Sequence, residues 1–367
     1  MFKIHLLRFF LKIFWIFPVN KKKAFFSSFD GKRQTCNPKY IYQYLLDNKY
    51  DLKYIWELNN KKGKGYVKHN SLRFIFHVLT SKYVISNGSI SPILPIRTKK
   101  QIVVNTWHGA GAYKRIGKVI DSKINGTTNE RQRMINKQTN YFLSGCEKFS
   151  YYVSDSLEFP YERFLPTGMP RNSVFFQNIN ILELKKKYGF EDDVHICLYA
   201  PTFRGNTGEK RDETYAGLDA DKMVEALQTR FGGKWIFATR CHYHYNTSPI
   251  KNALDLSSVE EMQDLLLICD ILISDYSSSL WDYCLTLKPC FIYCYDLDKY
   301  KSERDFYMPI EQWGFPLAQN FQELIDAILT FDEKDFQKKM KKHQEDLGSF
   351  EGPDSAKKAV DIIFGKK

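Results

Sequence analysis

The feature of the sequence that most limits its fold is a regular alternation of short apolar runs with longer amphipathic segments. "AFFSSFDG" (24–31) and "LKYIWEL" (52–58) are typical of strands, and "KYIYQYLLDN" between them has the period of a helix. The alternation continues through "KYVISNG" and "QIVVNTWHG". Strand, helix and strand in repetition predict an α/β fold, with a parallel sheet covered by helices.

A second series of the same kind begins near residue 190. Its apolar runs "HICLYA", "KWIFAT" and "DILIS" are typical of strands buried on both faces. Residues 166–192 contain two prolines and two glycines and are the expected linker. We therefore predict one domain at 23–175, a second at 190–345, and a closing helix at 346–367 that packs back on the first domain.

The first 22 residues form a separate segment. On a helix His5, Arg8 and Lys12 fall on one side and Lys3 on another, while the remaining surface is Phe, Leu, Ile and Trp. These charges interrupt the run of about 18–20 apolar residues that a transmembrane helix needs. With Lys21–Lys23 behind it, residues 1–22 are predicted to lie in the headgroup plane of an anionic membrane, and the alternative is a helix packed on its own protein.

The net charge of +12 is confined to the first part of the chain. Residues 1–140 carry 27 Lys and Arg against six Asp and Glu, whereas residues 141–367 carry 27 against 36. A basic first half suits an anionic membrane or a phosphate-rich substrate. The sequence shows no zinc-finger, basic-zipper or RNA-binding-sheet motif, so no nucleic-acid partner is predicted.

Polar residues follow several of the predicted strands, where open parallel sheets bind their ligands. These candidates are Trp107, His108, Gly109, Thr202, Arg204, Arg240, His242, Asp275, Ser277 and Ser278. "DYSS" (275–278) stands where a helix should begin, so it is a candidate phosphate seat, and ordinary N-capping by a serine is the alternative. Thr202, Arg204, Arg240 and His242 would offer further donors to the same anion.

His108 is the candidate general base. The small-residue stretch "GAGA" follows it and keeps its loop open, and Lys114 and Arg115 offer cations to an anionic substrate. A neutral imidazole with a pKa of about 6.5 accepts a proton from a hydroxyl near neutral pH. The alternative is a capping or core histidine. A base in one domain and phosphate-holding residues in the other predict group transfer from a nucleotide-linked donor.

Metal and redox chemistry are not indicated. The eight cysteines form no CxxC pair and are expected to be reduced core residues. "DAD" (219–221) and "DLD" (296–298) match a cation-binding pattern that is too short to be specific. No GxGxxG fingerprint follows the first strand and no Walker loop is present, so no metal and no cofactor are predicted.

Taken together, "NTWHGAGAYKRIG", "LYAPTFRG", "DLLLICDILISDYSSSLWDYCLTLKPCFIYCYDLDKY" and "RDFYMP" resemble the CDP-glycerol glycerophosphotransferases. These are teichoic-acid primases and polymerases of Gram-positive bacteria and related capsule enzymes. The resemblance implies a GT-B fold of two Rossmann-like domains facing a cleft, with acceptor on the first and CDP-alditol on the second. It also implies peripheral attachment to the cytoplasmic face of the cell membrane.

The resemblance also implies roles for individual residues. His108 would be the general base, Arg240 and His242 would hold the donor pyrophosphate and stabilise the leaving CMP, and the "DYSS" turn would lie at the pyrophosphate. Trp107, Gly109, Lys114 and Arg115 are then the expected acceptor-binding residues. Because Tyr243 and His244 follow where the family commonly has proline, either His242 or His244 faces the donor. "WHGAGA" replaces the usual "WHGTP", which bears on acceptor fit.

The implied partners are CDP-glycerol or CDP-ribitol and a lipid-linked glycan acceptor of the undecaprenyl type. The sequence leaves open which donor is used, whether one unit or many are added, whether the polymer is teichoic acid or capsule, and the oligomeric state. Two rival functions are a GT-B glycosyltransferase that uses a nucleotide sugar and a membrane-bound scaffold that has lost activity.

Overall fold

The chain divides into two compact units. In the computed structural model, residues 2–118, 128–202, 217–240 and 250–366 are described. Unit 1 comprises Met1–Ala110, Arg115–Phe176 and Gly348–Lys367, and unit 2 comprises Gly111–Lys114 and Gln177–Leu347. Residues from Gly348 onward therefore belong to unit 1, and four residues from the middle of the first half belong to unit 2.

Strands and helices alternate through both units, as the apolar runs predict. The strands are β1 (Asn20–Ser27), β2 (Lys53–Glu57), β3 (Tyr66–Val67), β4 (Ser81–Ser86), β5 (Ile102–Asn105), β6 (Tyr141–Leu143), β7 (Phe164–Leu165), β8 (Val194–Tyr199), β9 (Lys234–Thr239), β10 (Leu254–Asp255), β11 (Ile271–Ser274), β12 (Cys290–Tyr293) and β13 (Leu317–Ala318). The helices are α1 (Phe2–Leu11), α2 (Cys36–Asp47), α3 (Leu72–Thr80), α4 (Thr128–Gln138), α5 (Glu147–Leu157), α6 (Ile181–Lys187), α7 (Ala220–Phe231), α8 (Met262–Ile268), α9 (Ser279–Cys284), α10 (Leu297–Glu303), α11 (Phe321–Leu329), α12 (Glu333–Asp346) and α13 (Ser355–Phe364).

Unit 1 is built on a seven-stranded sheet in the order β3-β2-β1-β4-β5-β6-β7, and every described strand pair is parallel. Helices α2 and α13 cover one face, where Phe26 of β1 shares a core with Val360 of α13. Helix α3 covers the other face, where Phe25 packs against Phe74 with ring centroids 5.6 Å apart. Burial on both faces explains the continuously apolar strands.

Unit 2 is built on a six-stranded sheet in the order β10-β9-β8-β11-β12-β13, also with parallel pairs throughout. The strand order reverses between β1 and β4 in the first sheet and between β8 and β11 in the second. Sheets of this Rossmann-like order bind ligands beyond the carboxyl ends of the strands, at the reversal. The predicted pair of parallel α/β sheets is confirmed. A ligand site is expected at the carboxyl ends of the strands that flank each reversal.

The amino-terminal segment presents most of its apolar side chains to solvent, while Leu11 and Phe14 pack against the core of unit 1. Arg8, placed by helical periodicity on the basic side, points into unit 1, where its Nη1 atom donates to the carbonyl oxygens of Pro92 at 2.6 Å and Leu94 at 2.9 Å. Trp15 is anchored in the same way, since its Nε1 atom donates to the carbonyl oxygen of Pro95 at 2.8 Å. Arg8 therefore holds the segment on unit 1, which is the contact expected of a helix packed on its own protein.

Lys23 is likewise removed from the predicted headgroup contacts. Its side chain is buried at the start of the core of β1, where the ammonium group contacts Thr80 Oγ1 and lies 5.2 Å from the centroid of the Phe76 ring. Burial, together with the nearby charge of Lys53, lowers the pKa of Lys23 to about 8. Of the described helices, none is long and apolar enough to cross a membrane.

Candidate functional site

His108 lies at the strand-order reversal of unit 1. It follows β5, and its exposed ring places Nδ1 at 3.0 Å from the carbonyl oxygen of Asn87, the residue after β4. Phe29, which follows β1, donates its main-chain N–H to Asn87 Oδ1 at 2.9 Å, and its ring centroid is 5.9 Å from that of His108. The loops after β1, β4 and β5 thus meet at His108, as the ligand-binding rule for such sheets predicts.

The contact with Asn87 decides which nitrogen of His108 carries the proton. A carbonyl oxygen only accepts hydrogen bonds, so Nδ1 must be the donor. In the neutral imidazole the lone pair is then on Nε2. His108 is therefore oriented to receive a proton at Nε2, which is what a general base requires.

The loop before His108 is strained and is held by side chains from elsewhere in unit 1. Trp107 has φ of 52°, in the left-handed region that costs a non-glycine residue roughly 1–3 kcal/mol. Asn105 Oδ1 accepts its N–H at 2.9 Å, and Asn37 Nδ2 donates to the carbonyl oxygens of Thr106 at 3.0 Å and Trp107 at 3.1 Å. The Trp107 ring stacks on that of His108 at 4.8 Å, so the strained backbone sets the plane of the imidazole.

Arg171 completes this framework. It is 7% exposed, its Nη1 atom donates to the carbonyl oxygen of His108 at 2.9 Å, and its main-chain N–H donates to Asn37 Oδ1 at 3.1 Å. Sequence patterns connect neither residue with His108, because Asn37 stands before the predicted helix "KYIYQYLLDN" and Arg171 falls in the expected linker, 166–192. A usable signal was present in each case: an Asn-Pro pair after a glycine-containing turn, and an arginine inside the motif "GMPRNS".

The small residues after His108 permit a close approach of two loops. Gly109 and Ala110 are buried, and a Cβ atom on Gly145 would overlap Ala110 and come within 2.8 Å of Glu351 Oε1. Gly109, predicted to bind acceptor, is thus a buried part of the loop framework. Arg115, also in unit 1, is partly exposed.

Residues Gly111–Lys114 leave unit 1 and are fixed in unit 2. The buried Tyr113 ring stacks on Trp313 at 4.2 Å, and its hydroxyl is 2.9 Å from Nε2 of His343. Burial lowers the pKa of His343 to about 4, so the imidazole that hydrogen-bonds to the Tyr113 hydroxyl is neutral. Tyr307 donates its N–H to the Tyr113 carbonyl at 2.9 Å, so the "RDFYMP" motif holds this segment in place.

Asp275 and Thr202 join the two strands at the reversal of unit 2. Asp275 follows β11 and is 1% exposed, and its carboxylate accepts the main-chain N–H of Thr202 at 2.9 Å and its hydroxyl at 2.6 Å. Lys114 Nζ donates to the same hydroxyl oxygen at 3.2 Å. The Asp275 carboxylate thus holds Thr202 in position, and the Thr202 hydroxyl in turn contacts Lys114. Lys114, predicted to bind acceptor, lies beside this turn.

The "DYSS" turn leads into a short helix. Helix α9 begins at Ser279, Ser278 makes no side-chain capping bond, and Ser277 Oγ accepts from the N–H of Ser279 at 3.2 Å and from its hydroxyl at 2.9 Å. Ser277 and Ser278 are both partly exposed at the carboxyl edge of β11. The turn therefore combines serine capping with exposed hydroxyl groups, and the two interpretations of the sequence are compatible.

Of the remaining residues predicted to bind the CDP-alditol donor, the structure describes Arg240. Arg240 follows β9, donates its main-chain N–H to the Tyr199 carbonyl at 2.9 Å, and donates from Nη2 to the Val259 carbonyl at 3.2 Å. Arg204, His242 and His244 lie outside the described residues.

The two DxD patterns have structural partners. Asp219 caps α7 by accepting from the N–H groups of Asp221 and Lys222 at 3.0 and 3.1 Å. Asp296 accepts from the Tyr276 hydroxyl at 2.9 Å. Across the four described ranges, no group of three or more His, Cys, Asp or Glu side chains is arranged to hold a metal ion.

Comparison with known proteins gives a family for the chain. The model of the family described as "CDP-Glycerol:Poly(glycerophosphate) glycerophosphotransferase" matches residues 9–365. A teichoic acid poly(glycerol phosphate) polymerase of Bacillus spizizenii is 28% identical, over 96% of this chain and 95% of its own length. A teichoic acid glycerol-phosphate transferase of Staphylococcus aureus is 29% identical, over 86% of this chain and 85% of its own. A teichoic acid poly(ribitol-phosphate) polymerase of Bacillus spizizenii is 28% identical, over 86% of this chain and 52% of its own.

Solved structures give the same fold. A variant of the wall teichoic acid polymerase TagF matches with a TM-score of 0.82 and 24% identity, over 98% of this chain and 93% of that one. TagF soaked with CDPG matches with a TM-score of 0.81 and 25% identity, over the same shares. The predicted GT-B fold and the predicted resemblance are confirmed. The chain belongs to the CDP-glycerol:poly(glycerophosphate) glycerophosphotransferase family of transferase enzymes.

Proposed function

We propose that this chain transfers glycerol phosphate from CDP-glycerol to a hydroxyl of a lipid-linked acceptor and releases CMP, in the synthesis of teichoic acid or a related capsule polymer. The observation that carries the proposal is the hydrogen bond from His108 Nδ1 to the Asn87 carbonyl, which leaves the lone pair of the neutral ring on Nε2. Acceptor binding is assigned to unit 1 and donor binding to unit 2.

In the proposed reaction, Nε2 of His108 takes the proton of the acceptor hydroxyl while its oxygen attacks the β-phosphorus of CDP-glycerol. The bond between the β-phosphorus and the oxygen that bridges it to the α-phosphorus breaks, and that oxygen leaves on CMP. General-base assistance of this kind contributes roughly 10²–10⁴-fold to the rate. The framework of Asn37 and Arg171 supports the role by holding the loop of the base.

The donor pyrophosphate is assigned to the reversal point of unit 2. Lys114 supplies positive charge, the hydroxyls of Ser277 and Ser278 supply donors, and Asp275 keeps Thr202 in position. We assign Arg240 and, from outside the described residues, Arg204 and His242 or His244 to the same pyrophosphate. In phosphoryl transfer the transition state is usually stabilised by fixed cations and hydrogen-bond donors that face the developing negative charge.

Attachment to the cytoplasmic face of the cell membrane is assigned to the amino-terminal segment. Nine large apolar side chains in it are each at least 42% exposed: Phe2, Leu6, Leu7, Phe9, Phe10, Ile13, Trp15, Ile16 and Phe17. Arg8 and Trp15 tie the segment to unit 1 through hydrogen bonds, so these side chains are held outward. A contiguous apolar surface of this kind marks an interaction with a membrane or a partner.

CDP-ribitol is the second candidate donor, because a ribitol-phosphate polymerase is as similar in sequence, at 28%, as a glycerol-phosphate polymerase. The test is to incubate the purified chain with a short lipid-linked acceptor, EDTA and either CDP-glycerol or CDP-ribitol. CMP release with a gain in acceptor mass identifies the transferase and its donor. No CMP from either donor overturns the proposal, and a nucleoside diphosphate released from a nucleotide sugar would replace it with a glycosyltransferase.

A further inference from the structure

Six cations lie beside the carboxyl ends of β1, β2 and β3, away from His108 along the same sheet edge. This basic edge consists of Lys32, Arg33, Lys61, Lys62, Lys64 and Lys68. Residues 28–33 and 58–70, which carry it, contain one acid, Asp30. Such a density of one charge is a candidate site for an anionic ligand.

The loops that carry the basic edge are fixed to one another by Asn59. Its main-chain N–H donates to the carbonyl oxygen of Gly31 at 2.8 Å, and its Nδ2 atom donates to that of Asp30 at 2.9 Å. Its Oδ1 atom accepts the N–H of His69 at 3.0 Å. Asn59 thus joins the loops that follow β1, β2 and β3, so their cations form a defined array rather than three independent loops.

Close packing beneath these loops keeps the array in place. Gly31 has φ of 74°, and a Cβ atom there would lie 2.8 Å from Cγ of Glu57. Glu57 is 2% exposed and contacts Nδ1 of His69. The Glu57 carboxylate is therefore buried and already engaged, and Asp30 is the one exposed acid within the loops that carry the basic edge.

Two lysines of the basic edge differ from those surface lysines of the chain that form ion pairs. Lys118, Lys187 and Lys342 each form an ion pair with a carboxylate at 2.7–2.8 Å. Lys62 and Lys64, both exposed, form no ion pair with any residue of the four described ranges. An ordinary solvated face mixes both signs of charge, whereas the loops of the basic edge carry six cations and one acid.

The position of the basic edge relative to His108 indicates the shape of the ligand. The sheet order β3-β2-β1-β4-β5 puts four strand spacings between the end of β3, before Lys68, and the end of β5, before His108. Neighbouring strands lie about 4.8 Å apart, so this distance is about 19 Å. A ligand that contacts both ends must be extended, with several negative charges along its length.

We propose that the basic edge binds the phosphodiester chain of an acceptor that already carries several alditol phosphate units, with its terminal hydroxyl at His108. This inference rests on the proposed function and deepens it, because it makes the chain a polymerase that holds a polyanionic acceptor. Each repeat of such a chain carries one negative charge, which matches a row of cations along a sheet edge. Binding of this kind weakens steeply with salt.

The test uses direct binding, which does not require catalysis. A labelled oligo(glycerol phosphate) is titrated with the full chain and with the variant K61Q/K62Q/K64Q/K68Q, and fluorescence anisotropy is followed at low and at physiological salt. We expect about tenfold or greater weakening at low salt and a shallower salt dependence. The matched control is K21Q/K53Q/K99Q/K100Q, which removes four exposed lysines from the opposite edge of the same sheet and is expected to bind normally.

Each other outcome has a defined meaning. If the wild-type chain does not bind the oligomer, or the basic-edge variant binds it as tightly as wild type, the inference is wrong. If the variant keeps oligomer binding but no longer floats with anionic vesicles, the basic edge is a membrane surface. CMP release by the wild-type chain on a short acceptor is measured separately, so loss of that activity counts against the proposed function and leaves the binding result to stand by itself.

Discussion

Nδ1 of His108 donates to the carbonyl oxygen of Asn87 across 3.0 Å, and the two residues follow the neighbouring strands β5 and β4. A side-chain partner could rotate away, whereas this carbonyl is fixed by the end of a buried strand. The tautomer of His108 is therefore set by the sheet itself.

Replacing His108 with Ala is expected to lower kcat for CMP release by about 10²–10⁴-fold, because general-base assistance is lost. The KM for the donor is expected to change little, since the donor is assigned to unit 2. His5→Ala, which removes an exposed histidine on α1, is the control and is expected to keep full activity. An unchanged kcat in His108→Ala would falsify the assignment of the base.

Arg171→Ala is expected to reduce kcat by roughly tenfold while the acceptor KM stays near its wild-type value. Arg171 donates to the His108 carbonyl from a buried position, so it positions the base without touching substrate. Leaving the His108 carbonyl without its guanidinium donor is also expected to lower the free energy of unfolding by about 1–3 kcal/mol. Urea denaturation and steady-state kinetics measure the two effects.

The conservative variant Arg171→Lys separates positioning from binding. It keeps the positive charge but loses the planar guanidinium group with its several N–H donors. We therefore expect a kcat between that of Arg171→Ala and that of the wild type. A raised acceptor KM with normal kcat in Arg171→Ala would instead show that Arg171 binds the acceptor directly.

Lys114 and Arg115 are neighbours in sequence but belong to different units, so their variants should affect different substrates. Lys114→Gln is expected to raise the KM for CDP-glycerol by about tenfold, since a hydrogen bond to a charged group contributes about 1.5–3 kcal/mol. Arg115→Gln is expected to raise the acceptor KM and leave the donor KM unchanged. Each variant serves as the control of the other, and equal effects on both constants in both variants would contradict the division.

The strands and their order of appearance were predictable because burial on both faces leaves a strong local signal. "DILIS" and "HICLYA" contain few polar residues because helices cover both sides of each sheet. The positions of His108, Thr202 and Asp275 at carboxyl ends followed from the same runs, since each residue stands directly after one. The local sequence pattern was therefore sufficient to place a residue that directly follows its own strand.

Contacts between distant parts of the chain left no such signal. Asn37 is 70 positions from Trp107, and Arg171 is 63 positions from His108, so periodicity could not connect them. The partners of Arg8 were not predictable for a related reason: helical periodicity defines its side of α1 but not which side faces the protein. Two carbonyl acceptors 84 and 86 positions away decide that.

The free energy of unfolding is expected to fall by about 2 kcal/mol between about pH 7.5 and pH 5 on account of His343. Its folded-state pKa is about 4, against an ordinary value of 6.5. The unfolded chain therefore binds the proton more readily, and stability is lost as pH falls through 6.5 toward 4. His343→Gln keeps an acceptor for the Tyr113 hydroxyl but does not titrate, so its urea midpoint should depend less on pH. Equal pH dependence in the two proteins would refute the assignment.

Membrane attachment should depend on the outward apolar side chains of the amino-terminal segment rather than on its charges. Full burial of a Phe or Ile side chain contributes about 1.5–3 kcal/mol, so Phe9→Ser, Phe10→Ser and Ile13→Ser together are expected to abolish flotation with anionic vesicles. Leu182→Ser, which removes an exposed leucine from α6 in unit 2, is the matched control and is expected to float normally. Because none of the three side chains is buried, the thermal midpoint should stay unchanged. Flotation that survives in the triple variant but is lost at high salt would show that lysines, and not these apolar side chains, hold the chain on the membrane.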